Sequence, residues 1–152
     1  MFEKLFSYMN SVDFKEHELN WVISIDSKGN DATLGDLICQ NAPLSVLATF
    51  SHTPKQSGVT IKAVHELSDK EIEHVVMRHL KTFPKDRALA IAGYGFFTGE
   101  QLREEVKQKT EVGRCYIAIV RSHNMFLEKA IKEGKIRRKS NKGNVEIPNF
   151  NF

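Results

Sequence analysis

Thr98-Gly99-Glu100-Gln101, set between Phe97 and Leu102, is the stretch that most narrows what this chain can fold into. Its spacing is that of a capping box. The Thr98 hydroxyl accepts from the Gln101 amide, and the Gln101 side chain reaches back to the Thr98 amide. Phe97 and Leu102 stand where a hydrophobic staple fixes the angle at which the chain enters a helix. A helix therefore starts at Thr98. Leu102 and Val106 mark its apolar side, and Arg103/Lys107 and Glu105/Lys109 fall one turn apart on the wet side. After Gly113, the residues Tyr116, Ile119, Val120, His123, Leu127, Ala130 and Ile131 recur at the spacing of a buried helix face. Residues 115–120 also have the β-branched content of a short buried strand. The stripe continues past Ser122, which favours the helix. Gly134, close after Lys129 and Lys132, marks its end.

A second capping box, Ser68-Asp69-Lys70-Glu71, carries its own staple of Leu67 and Ile72. The helix it opens has an apolar stripe of Ile72, Val75, Val76, His79, Leu80 and Phe83, and Pro84 ends it. The remaining elements are shorter. Phe2, Leu5, Phe6 and Met9 share one side of an N-terminal helix, which either packs on the core or docks on a partner. Residues 18–26 read as a strand around Trp21-Val22-Ile23, followed by a turn at Ser27-Lys28-Gly29-Asn30. A helix over 33–40, a strand over 44–50, a polar loop over 51–58, and strands over 59–66 and 87–92 follow. The expected fold is α+β. The middle six elements have the β-α-β-β-α-β order of a ferredoxin-like core, with an N-terminal helix before it and a C-terminal helical pair after it. Residues 1–135 read as one globular domain, and 136–152 as a basic, then aromatic, C-terminal tail.

Charge separates the two halves. Residues 1–74 carry 6 Lys/Arg against 11 Asp/Glu, and residues 75–152 carry 16 against 8, within an overall net charge of +3. The cations concentrate at Lys129, Lys132, Lys135, Arg137, Arg138, Lys139 and Lys142, with only Glu133 among them. Such a run points to nucleic acid or to an acidic protein partner, or else is a solvated basic end. No apolar run reaches the ~20 residues of a membrane span, and residues 1–12 are too short and polar for a signal peptide. Cys39 and Cys115 have no metal or redox spacing. Together these place the chain in the cytoplasm, with no membrane partner and with reduced thiols.

The chemistry-bearing motifs are weak. Gly93-x-Gly95 lacks the third glycine of a phosphate loop, since Thr98 stands there. No two histidines have the i, i+4 spacing that puts two metal ligands on one helix face, and His79 and His123 read as core histidines. Asp26, Asp31 and Asp36 lack the calcium-loop spacing. No catalytic residue, metal or cofactor is expected. A small enzyme would have to assemble its site from His52, His65, Cys115 and the Asp26/Asp31 pair. Gly93-Tyr94-Gly95-Phe96-Phe97 resembles the RNP1 signature of RNA-recognition motifs. The resemblance implies that Tyr94 and Phe96 stack on bases; the alternative is that these aromatics pack under the helix begun by Thr98. The expected function is a non-enzymatic domain that contacts nucleic-acid phosphates through its basic C-terminal helix and tail. The alternative is a protein-binding regulator or adaptor, homo-oligomeric in one version, that uses the same tail and the terminal aromatics.

Overall fold

A computed structural model describes residues 12–41 and 59–138. The strands and helices in order are β1 (Val12–Phe14), β2 (Val22–Ile25), β3 (Asp31–Thr33), α1 (Leu34–Asn41), α2 (Asp69–Lys81), β4 (Ala88–Ile91), β5 (Gly95–Thr98), α3 (Gly99–Lys107), α4 (Glu111–Lys132) and β6 (Ile136–Arg138). Short 3-10 turns at Glu16–Asn20 and Val64–Glu66 punctuate them. The fold is mixed α+β. The N-terminal helix and the strand expected over 44–50 lie outside the described residues.

Both capping boxes form, and in each the hydroxyl and the N3 side chain exchange hydrogen bonds with the backbone. A third start is built in a similar way from Thr33 and Asp36. The Thr33 hydroxyl accepts from the Asp36 amide while the Asp36 carboxylate accepts from the Thr33 amide. Gly134, with φ 73°, ends α4 with a Schellman pair of bonds, its own amide to Ile131 O and that of Lys135 to Ala130 O.

The ferredoxin-like sheet is not confirmed, and the edges of β2 explain why. One edge is taken by β3 in an antiparallel hairpin, whose turn is tied by Asp26 accepting from the amides of Lys28 and Asn30. The other edge meets residues 60–62 through a single bridge at Ile61. β4 does not join β2 and pairs instead with β5, Ala88 opposite Thr98 and Ile91 opposite Gly95. The expected third strand ends after that bridge because α4 takes over its backbone. Glu128 accepts from the Val64 amide, and Arg121 donates to Val64 O and Leu67 O. Asn124 donates to Ile23 O on the β2 edge beyond the bridge. These three polar residues lie on one face of α4 at i, i+3 and i+7.

The buried face of α4 is accordingly rotated from the expected stripe. Val112, Tyr116, Val120, Asn124, Leu127, Glu128 and Ile131 are buried, whereas Ile119 and His123 are exposed. His123 is therefore not a core histidine; His79 is. The core runs from Phe14, Ile23 and Ile38 through Val75 and Val76 of α2 to Leu102, Val106 and Ile131. α3 and α4 meet at a tight corner, where Lys109 adopts φ 54°. A Cβ on Gly113 would lie 2.2 Å from Glu105 O, so only glycine fits there. β6 pairs parallel with β1 and carries paired backbone three residues past Lys135.

Candidate functional site

Two concavities of the described surface share lining residues. The first lies between the start of β2, the end of α2, β4 and the middle of α4, with a volume of about 340 Å3. Trp21, Phe83, Pro84, Leu89, Tyr116, Ile119 and Val120 give it apolar sides, and His79, Thr82 and His123 are its polar members. Each part is placed by a local feature already described. Trp21 directly precedes β2, and its carbonyl accepts from the first amide of α1. Pro84 stops α2 and turns Phe83 toward the cavity wall. The β4–β5 register puts Leu89 opposite Phe97, on the inward side of the hairpin.

His79 is the most perturbed group there. It is 4% exposed, and its Nε2 donates to Val22 O, a bond that fixes the proton on that nitrogen. Its ring lies against Trp21, the two centroids 4.0 Å apart. Nδ1 is buried with no partner among the described residues. Burial, and secondarily the nearby His123, push its pKa down to about 4 against the pull of the Val22 carbonyl, so the ring is neutral at pH 7. The Thr82 hydroxyl is engaged by His79 O. The cavity thus offers a ligand apolar walls and no fixed charge.

The second concavity, also about 340 Å3, shares Phe83 and Pro84 with the first. Lys81, Lys85 and Arg103 line it with Glu100, Thr98 and Gly99 at the start of α3.

The described residues expected to contact nucleic acid lie on α4 and just after it, on β6, and on the β4–β5 hairpin. Lys129 and Lys135 both lie near Glu133, at 4.0 and 3.0 Å. Lys132 is exposed on the last turn of α4. Arg137 and Arg138 belong to β6, while Lys139 and Lys142 lie outside the described residues. Tyr94 and Phe96 belong to the β4–β5 hairpin, well removed in sequence. Phe96 is 76% exposed. The Tyr94 hydroxyl is hydrogen-bonded to the Glu111 carboxylate, which pushes its pKa up to about 12. That carboxylate puts negative charge beside a surface expected to meet bases.

Of the groups of the enzyme alternative, the structure describes Asp26, Asp31, His65 and Cys115. Asp26 ties the β2–β3 turn, and Asp31 pairs with His74 and Arg78 of α2 at 2.7 and 3.0 Å. His65 is exposed beside Glu66, and His52 lies outside the described residues. Cys39 and Cys115 are free thiols, and burial followed by the Asp36 carboxylate pushes the Cys39 pKa up, away from the reactive thiolate.

No known family model, curated protein or solved structure matches this chain. Among the described residues, no helix is long and apolar enough to cross a membrane.

Sequence reasoning passed over both concavities. Trp21 stood out only as a strand former, and Phe83 only as the last residue of a stripe. The available signal was the pairing of a core histidine with an adjacent proline stop, which opens the end of α2.

Proposed function

We propose that the protein is a non-enzymatic binding domain that takes an apolar group of its ligand into the Trp21/His79 cavity. The observation that carries the reading is the composition of that cavity, apolar walls with one buried neutral histidine and no fixed charge. Its volume of about 340 Å3 sits at the lower end of the range for small-molecule sites, enough for a single substituted ring. A reduced, cytoplasmic setting agrees with two free thiols. The test is calorimetric titration with p-cresol. Wild type should bind with a Kd on the order of 1 mM, as suits so small a ligand. Ile119→Glu, at an exposed position on the rim, should abolish the binding because it puts a carboxylate at the mouth. Equal heats from both proteins, or none from wild type, would end the reading.

A second reading, contact with nucleic-acid phosphates, is favoured by the exposed Lys129 and Lys132 and by Phe96. It predicts oligonucleotide binding whose logarithm falls with log salt at about 0.9 per phosphate contacted. A flat salt dependence would dismiss it.

A further inference from the structure

We infer that the cleft lined by Lys81, Lys85 and Arg103 receives the anionic head of the same ligand, making that ligand a small amphiphilic phosphomonoester. The inference rests on the cavity reading above and adds the ligand's chemical class. Phe83 and Pro84 line both concavities, which places the cationic cleft beside the cavity that would seat the ring. Gly99 keeps that wall close: a Cβ there would meet the Phe83 ring at 3.1 Å.

Charge selects the head group. Three cations line the cleft against one carboxylate, Glu100, an excess of two positive charges. A phosphomonoester carries about −1.5 to −2 near neutral pH and matches that excess, where a carboxylate supplies half of it. Arg103 Nε is buried with no hydrogen-bond partner among the described residues. An arriving oxyanion would provide one, because the guanidinium fork pairs with two oxygens at once. The first turn of α3 adds a favourable dipole end, while Glu100 and the C-terminal end of α2 oppose it. The attraction therefore stands on the side-chain cations.

The test is a calorimetric comparison of p-cresol and p-cresyl phosphate on the full chain at low and moderate salt. The phosphate ester should bind about tenfold tighter, and raising the salt should shrink that ratio. Lys81→Gln with Lys85→Gln, both at exposed positions, should cut the ratio to roughly threefold or less, and Arg103→Gln should do the same. Glu100→Gln removes the one opposing charge and should raise it. Failure of p-cresol to bind overturns the cavity reading. Binding of p-cresol with no gain from the phosphate, or a gain that survives the lysine double substitution, overturns the phosphomonoester assignment and leaves the cavity standing.

Discussion

Lowering the pH should destabilise this protein through His79 before its carboxylates dominate. The side chain is buried, its Nε2 proton is held by Val22 O, and Trp21 lies against the ring. Protonating Nδ1 would place a charge inside an apolar wall with His123 nearby and no opposing anion acting on it. The folded ring therefore titrates at about 4, while an unfolded histidine titrates near 6.5. Between those values the unfolded chain binds the extra proton, so stability rises with pH across that window. The contribution is complete above about pH 6.5 and is lost as the pH falls toward 4. Each pH unit is worth ~1.4 kcal/mol, so the full window of about 2.5 units approaches ~3.5 kcal/mol. For a domain of this size that is a fall in Tm of roughly 7–14 °C. Urea melts followed by far-UV circular dichroism at steps from pH 7 to pH 4.5 would measure it. His79→Gln keeps a donor for Val22 O and removes the titration. Its midpoint should fall less than that of wild type between pH 6.5 and 4.5. Parallel curves for the two proteins would refute the assignment of that window to His79.

Three further outcomes follow from the packing. Gly113→Ala would drive a methyl group into Glu105 O at 2.2 Å, a backbone atom that cannot step aside; thermal melts should show a loss of about 3 kcal/mol or more as the α3–α4 corner opens. Glu128→Ala strips the buried Val64 amide of its acceptor and should cost about 1–3 kcal/mol in urea denaturation, whereas Glu128→Gln keeps an acceptor oxygen and should cost less. Thr98→Ala removes the hydroxyl that accepts from the Gln101 amide; the loss should be about 1 kcal/mol, with amide exchange accelerated first in the opening turn of α3.

What the sequence disclosed was local, and what it hid was long-range. Ser68/Glu71 and Thr98/Gln101 could be read directly because a capping box is complete within four residues. The stripe of α2 was legible because that helix packs one apolar face throughout. The Thr33/Asp36 exchange obeys the same local logic, but Asp in place of Glu disguised it, and β3 beside it is only three residues long. β5 was hidden inside a glycine-rich stretch that reads as a turn. On α4 the apolar pattern misled, because Arg121, Asn124 and Glu128 turn inward to satisfy backbone left unpaired by β2 and the 59–67 segment. Hydrophobic periodicity carries no signal for such partners, which lie more than 50 residues away. The two concavities were illegible for the same reason. Trp21, Phe83 and Ile119 meet only once three distant segments have packed.

Trp21 is the one tryptophan of the chain and lines the cavity itself, so its emission tests the central claim most directly. Aliphatic ligands such as cyclohexanol avoid spectral overlap with the indole. The account predicts a saturable change in Trp21 emission in wild type and none in Ile119→Glu. A linear, unsaturable response identical in the two proteins would contradict it.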